Sequence, residues 1–119
     1  MSTTSTGRAV TLDQWSGHTW TDGFQTEALA PLDTLVVRTR NSCYELTILA
    51  PASGDVLVRG GRFFPVFARA RVAGSSLGGG CLKLRGIYVG FLLELVRDGQ
   101  TVRTTRVRAV TRTPRSAVH

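Results

Sequence analysis

From Thr34 to Val110 apolar and polar side chains alternate with a period of two, the pattern of half-buried β-strands. The clearest stretch is Cys81 to Val110, CLKLRGIYVGFLLELVRDGQTVRTTRVRAV. It divides at Asp98-Gly99, a strong hairpin signal because a type I′ turn requires positive φ at both central residues. The arm before the turn, Gly86 to Val96, is apolar on both parities. Ile87, Val89, Phe91, Leu93 and Leu95 take one, and Tyr88, Leu92 and Val96 take the other. Such a strand is covered on both faces. The return arm alternates Arg103, Arg106 and Arg108 with Val102, Val107 and Ala109, which predicts a strand with one basic face.

A two-residue turn sets the register: Arg97 opposite Gln100, Val96 opposite Thr101, Leu95 opposite Val102, and Glu94 opposite Arg103. The last is an opposite-charge cross-strand pair of a kind that contributes roughly 0.2–1 kcal/mol. Past Thr104 the apolar parity of the return arm flips, since Val102 is even while Val107 and Ala109 are odd. One extra residue at Thr104–Thr105, a β-bulge, restores a single inner face by setting Phe91 opposite Val107 and Val89 opposite Ala109. The same bulge predicts that Arg106 and Arg108 share a face with Tyr88 and the bare backbone of Gly90.

Upstream, Leu35, Val37 and Thr39 take the odd parity, and Tyr44, Leu46 and Ile48 the even one. The switch falls at Asn41-Ser42, which reads as a turn between two strands. Ala50 to Asp55 is a loop by composition, and Val56 to Arg62 is the hairpin partner of 43–49, ending at Gly60-Gly61. Phe63-Phe64-Pro65 reads as a bend. From Val66 to Ala73, Ala68, Ala70 and Val72 alternate with Arg69 and Arg71, another strand with a small apolar face and a basic one. A glycine loop, Gly74 to Gly80, then leads into the hairpin.

Before this region the pattern is irregular. Residues 1–9 read as a flexible Ser/Thr-rich tail. Residues 10–33 form an irregular segment in which Thr11 and Gln14 make a capping box. Its aromatics, Trp15, Trp20 and Phe24, are expected to plug one end of the fold rather than stand exposed for a partner. Residues 34–112 make the main domain, and 113–119 a flexible C-terminal tail. The fold predicted is all-β: a small six- to seven-stranded antiparallel β-barrel or sandwich with an irregular N-terminal segment.

Charge changes the picture. Fifteen basic against eight acidic residues give the 119-residue chain a formal net charge of +7, and all the basic residues but Lys83 are arginine. A pI near 11.0 invites a polyanionic partner, and arginine's planar fork suits phosphate. The same excess would also arise from arginines scattered over a solvated surface, and the sequence does not separate the two. No apolar run reaches the roughly 20 residues that span a bilayer, and the first residues lack the pattern of a secretory signal. The expectation is therefore a cytoplasmic protein with no membrane contact.

Candidate chemistry narrows the choice. Cys43 and Cys81, with His18 and His119, show no zinc-ligand spacing, and the cysteines are expected to be small buried hydrophobes rather than a disulfide. His18 beside Trp20, near Asp13 and Asp22, offers a general base but reads better as a surface loop residue. No catalytic residue, metal or cofactor is predicted. Gly74 and Gly79 have the spacing of a P-loop, but Gly80-Cys81 and a strand follow where Gly-Lys-Ser/Thr and a helix are required.

Gly74-x-Ser76-x-x-Gly79, followed by a strand, resembles the Asp/Asn-x-Ser-x-x-Gly motif of PilZ domains, six-stranded barrels that bind cyclic di-guanylate. The resemblance covers residues 56–110 and rests on Ser76 and Gly79. Gly74 stands where the family has Asp or Asn. The family's upstream Arg-x-x-x-Arg has only Arg59-Gly-Gly-Arg62 and Arg38-Thr-Arg40 as near counterparts. It implies a degenerate barrel of that kind with a cyclic dinucleotide as ligand.

The leading expectation is a non-enzymatic basic barrel that binds single-stranded RNA or DNA, or another polyanion. Tyr88 would stack a base, Arg106 and Arg108 would clamp phosphates, and Arg69 and Arg71 would extend the face. The alternative is a structural or protein-interaction module that self-associates or takes a protein partner through edge strands.

Overall fold

The computed structural model describes residues 21–79 and 81–114. Nine strands follow in order: β1 (Gly23–Gln25), β2 (Thr34–Thr39), β3 (Cys43–Ala50), β4 (Asp55–Gly60), β5 (Phe64–Ser76), β6 (Leu82–Leu84), β7 (Gly86–Tyr88), β8 (Leu92–Arg97) and β9 (Gln100–Thr113). A single 3₁₀ turn at Thr26–Ala28 interrupts them. Every pairing is antiparallel, and the order β4-β3-β2-β9-β8-β5 returns to β4, so six strands close into a barrel. β6 adds to β5, while β1 and β7 form a separate two-stranded ribbon. Closure joins β4 to β5 and so removes the two long edges that an open sheet of these six strands would expose, while residues 100–106 of β9 have no strand on their β2 side among the described residues. The expected class, an all-β antiparallel barrel or sandwich, is observed, and the ring of pairings makes it the barrel.

The alternation explains which side chains go inside. Leu35, Val37, Leu46, Ile48, Val56, Val58, Val72, Leu93 and Leu95 are fully buried, each on the inward parity of its strand. Burying one such side chain contributes roughly 1.5–3 kcal/mol, so these positions hold the barrel closed. The parity switch at Asn41-Ser42 is a tight turn. The Thr39 amide donates to the Ser42 carbonyl at 2.8 Å, and the Ser42 amide to Thr39 Oγ1 at 3.1 Å. At the opposite end Asp33, 1% exposed, takes Arg112 Nη2 at 2.7 Å and the Ala30 amide at 2.9 Å on the same oxygen.

The final hairpin follows its sequence. Asp98 and Gly99 have φ of 53° and 78°, and the pairs from Arg97–Gln100 to Glu94–Arg103 stand in the expected register. The register then shifts so that Leu92 faces Arg106. Thr104 Oγ1 accepts the Leu93 amide at 3.0 Å, replacing the ladder bond that the bulge removes. Val107 and Phe91 stand opposite each other, the Val107 amide donating to the Phe91 carbonyl at 2.8 Å.

Three expectations are corrected. Gly86 to Val96 is not one strand: β7 leaves the barrel to pair with β1, Gly90 turns at φ 93°, and β8 begins at Leu92. Ser75 Oγ holds β7 in place, donating to the Gly86 carbonyl at 2.8 Å and accepting the Tyr88 amide at 3.1 Å. The doubly apolar pattern thus records cover by β1, not a central barrel position; Val89 lies between β7 and β8, its amide donating to the Asp22 carbonyl at 2.8 Å, and it does not pair with Ala109 in the β8–β9 ladder. Second, Gly74 to Ser76 are the buried end of β5, not a loop. Third, Cys43 is exposed and Cys81 half-buried, both as free thiols; Cys43 precedes inward-facing Tyr44 and so takes the outward parity. Phe24 packs on the core from β1, whereas Trp15, Trp20, His18 and the capping box lie outside the described residues. β9 runs through Thr113, one residue past the expected end of the domain.

Candidate functional site

β9 is 14 residues long and β2 only six. Their ladder stops at Thr39–Val107, so among the described residues the 100–106 part of β9 pairs only with β8. Two register shifts lie along β9. The first, at Thr104–Thr105, keeps Val107 inside and turns Arg106 out. The second falls where Val37–Val110 and Thr39–Val107 differ by one residue, leaving Arg108 and Ala109 both exposed between two inward valines. Arg38 faces Ala109 from β2, and Arg40 follows one residue past the strand.

This face holds a cleft of about 700 Å³. Its exposed lining is Arg40, Arg106 and Arg108, while Val89, Leu92 and Val107 give it an apolar wall and Thr104 and Thr105 border it. Arg106 is fixed across the opening by its Nη1, which donates to the Gly90 carbonyl at 2.6 Å. A smaller cleft of about 370 Å³ shares Thr104 and Thr105, and continues between the β2–β3 turn and the β4–β5 turn.

Charge is sorted over the barrel. Glu27, Asp33, Glu45, Asp55, Glu94 and Asp98 lie within ion-pairing distance of Arg85, Arg112, Arg59, Arg71, Arg103 and Arg97 respectively. No carboxylate among the described residues pairs in this way with Arg38, Arg40, Arg106 or Arg108. Arg62 in the β4–β5 turn and Arg69 on β5 likewise have no such partner there, but neither lines the larger cleft. Three guanidinium groups, those of Arg40, Arg106 and Arg108, thus share the larger cleft without a carboxylate partner among the described residues, and Arg38 stands next to them opposite Ala109. Each offers a planar fork of donors suited to phosphate oxygens.

The expected site residues separate. Arg106 and Arg108 stand together as expected. Tyr88 does not join them: it is 6% exposed, and its ring packs over the β1–β7 ribbon, close to Gly23 and Gly86. Burial, and then the charge of Glu27, push its phenol pKa above the usual value. Arg69 and Arg71 are exposed on β5 but line neither cleft, and Arg71 is 3.7 Å from Asp55. Sequence reasoning misses Arg38 and Arg40, although Arg-Thr-Arg beside a turn is visible in the chain. Only the pairing of β2 with β9 brings them to Arg106 and Arg108.

The residues that resemble the PilZ motif make contacts within the barrel. Ser76, 1% exposed, donates to Glu94 Oε2 at 2.6 Å, and the same oxygen accepts Arg103 Nε at 3.1 Å. A Cβ at Gly74 would lie 2.1 Å from the Lys83 carbonyl oxygen, so the Asp or Asn of that motif has no room here. Arg59 pairs with Glu45 and lies 4.5 Å over the Phe67 ring, which leaves Arg62 alone of the Arg-Gly-Gly-Arg pair beside a cleft. Among the described residues no group of His, Cys, Asp or Glu is placed to hold a metal ion. No helix there is long and apolar enough to cross a membrane. No protein-family model, curated protein or solved structure matches the chain.

Proposed function

We propose that this barrel is a non-enzymatic module that binds single-stranded nucleic acid, or a comparable polyanion, on the outer face of β2 and β9. The observation that supports this is the sorting of charge: acids pair with six other arginines, while Arg40, Arg106 and Arg108 line the larger cleft and Arg38 stands next to them on β2, none with a carboxylate partner among the described residues. Guanidinium groups so placed clamp phosphates and release counterions from the nucleic acid. The apolar wall beside them suits the sugar and base of a nucleotide, and small barrels take single strands in basic grooves of this kind.

The test is titration of a labelled oligonucleotide with two double variants that remove equal charge. Arg106→Ala with Arg108→Ala is expected to weaken binding, while Arg69→Ala with Arg71→Ala leaves it nearly unchanged. Equal weakening would assign the effect to bulk charge alone.

A second reading, a protein-interaction module, draws on an apolar surface that adjoins the smaller cleft at Phe63. Between Val58–Ala68 and Gly60–Phe64 the β4–β5 ladder slips, so that Arg59 faces three residues of β5. The slip pushes out Val66 and Phe67, and Phe63 in the turn is exposed beside them. Exposed apolar patches of this kind mark contact surfaces. Binding through it would persist at high salt, whereas phosphate binding would not.

A further inference from the structure

Resting on the nucleic-acid reading, we infer that the ligand is a linear single strand of at least two nucleotides, with Phe63 as the platform on which a base stacks. The two clefts are not independent. Thr104 and Thr105 belong to both, so the bulge of β9 forms a ridge between a larger cleft and a smaller one.

The two sides differ in chemistry. The larger cleft has three arginines without carboxylate partners among the described residues and an apolar wall, the features that hold a phosphate and its sugar. The smaller one has Asn41 and Ser42, which donate and accept hydrogen bonds as base edges do, with Tyr44, Phe63, Arg62 and Arg103, the last already paired with Glu94. Phe63 is 54% exposed, an unusual position for a phenylalanine, and its turn is tied to the hairpin by Arg97 Nη1, which donates to its carbonyl at 3.4 Å. An exposed ring beside hydrogen-bonding side chains is what base stacking requires. On the ridge, Thr105 Oγ1 is buried and has no hydrogen-bond partner among the described residues. A strand crossing from one cleft to the other passes over this residue.

The backbone along this path is also open. Residues 100–106 of β9 have no strand on the β2 side among the described residues, because β2 ends at Thr39. An extended acidic peptide would use that open edge by strand addition, without a ring to stack on. The unpaired arginines together with Phe63 favour the nucleotide.

The experiment compares three probes on the full chain: thymidylate oligomers of increasing length, inorganic polyphosphate, and an oligoglutamate peptide. Affinity is expected to rise sharply from the mononucleotide to the dinucleotide. Phe63→Ala is expected to weaken oligonucleotide binding about tenfold, the scale of one stacked base, with Phe63→Trp restoring it and polyphosphate binding unaffected. Circular dichroism confirms that each variant keeps its fold. If polyphosphate and oligomers bind alike and Phe63→Ala changes neither, the two-cleft assignment fails while the polyanion reading stands. If neither anion binds, the polyanion reading itself fails. Tighter binding of the peptide than of any oligomer overturns both in favour of strand addition.

Discussion

Arg106 stands across the ladder from Leu92, one residue out of step with the Glu94–Arg103 pair nearer the turn. That offset allows Val107 to reach the core while Arg106 remains outside, and it depends on a single extra residue at Thr104–Thr105. Deleting Thr105 forces the rest of β9 onto the wrong parity, exposing Val107 or burying Arg106. The expected loss is on the order of 3 kcal/mol, from one displaced apolar side chain and one poorly solvated cation. A urea titration with an unmoved midpoint would show that the offset carries no such weight.

Two glycines are constrained for different reasons. Gly99 has φ 78°, and a Cβ added there would meet nothing within 4 Å, so its cost on substitution is conformational alone. Gly99→Val should lose roughly 1–3 kcal/mol. Gly74→Ala should lose more, because the new methyl meets the Lys83 carbonyl oxygen. Denaturant titrations that rank the two in the opposite order would contradict this distinction.

Ser76 donates a hydrogen bond to Glu94 at 2.6 Å. Ser76→Ala removes a hydrogen bond to a carboxylate whose side chain is only 13% exposed, and should lose about 1–3 kcal/mol of stability. Calorimetry with cyclic di-guanylate should show no binding to the unmodified chain. A sub-micromolar signal abolished by Ser76→Ala with Gly79→Ala would assign those residues to a ligand after all.

Tyr88 provides a pH-dependent signature of the β1–β7 ribbon. Its folded pKa lies above that of the unfolded chain, so the folded state holds the phenolic proton more tightly. The resulting stabilisation is complete below about pH 10, the ordinary tyrosine value, and is lost as pH rises through the folded pKa. Tyr44→Phe leaves Tyr88 as the only tyrosine. In that variant the phenolate absorbance should titrate above the ordinary tyrosine value while the protein stays folded, and a midpoint at or below it would place the ring in water.

Much of the barrel is legible in the sequence because its determinants are local. Asp98-Gly99 sets its own φ values, and the parity of Val102 against Val107 reveals the bulge without any knowledge of the fold. The fate of Gly86 to Tyr88 is not local. A run apolar on both parities suits either a strand in the barrel or one covered by another segment, and the Ser75 hydroxyl and β1 decide between them. The misplacement of Tyr88 follows from that one choice. The site is half legible for the same reason: Arg106 and Arg108 share a strand, but Arg38 and Arg40 reach them only through the pairing of β2 with a strand at the far end of the chain.

The central claim is that the arginines on and just past β2 and on β9 that lack a carboxylate partner among the described residues grip phosphates. Its most direct test is the slope of log affinity against log salt concentration for a single-stranded oligonucleotide, compared among four proteins. Removing one guanidinium–phosphate interaction should reduce the slope by roughly 0.7. One such step is expected for Arg40→Ala, two for Arg106→Ala with Arg108→Ala, and almost none for Arg69→Ala with Arg71→Ala, against the unmodified chain. Identical slopes in all four, or no binding at any salt concentration, would contradict the claim.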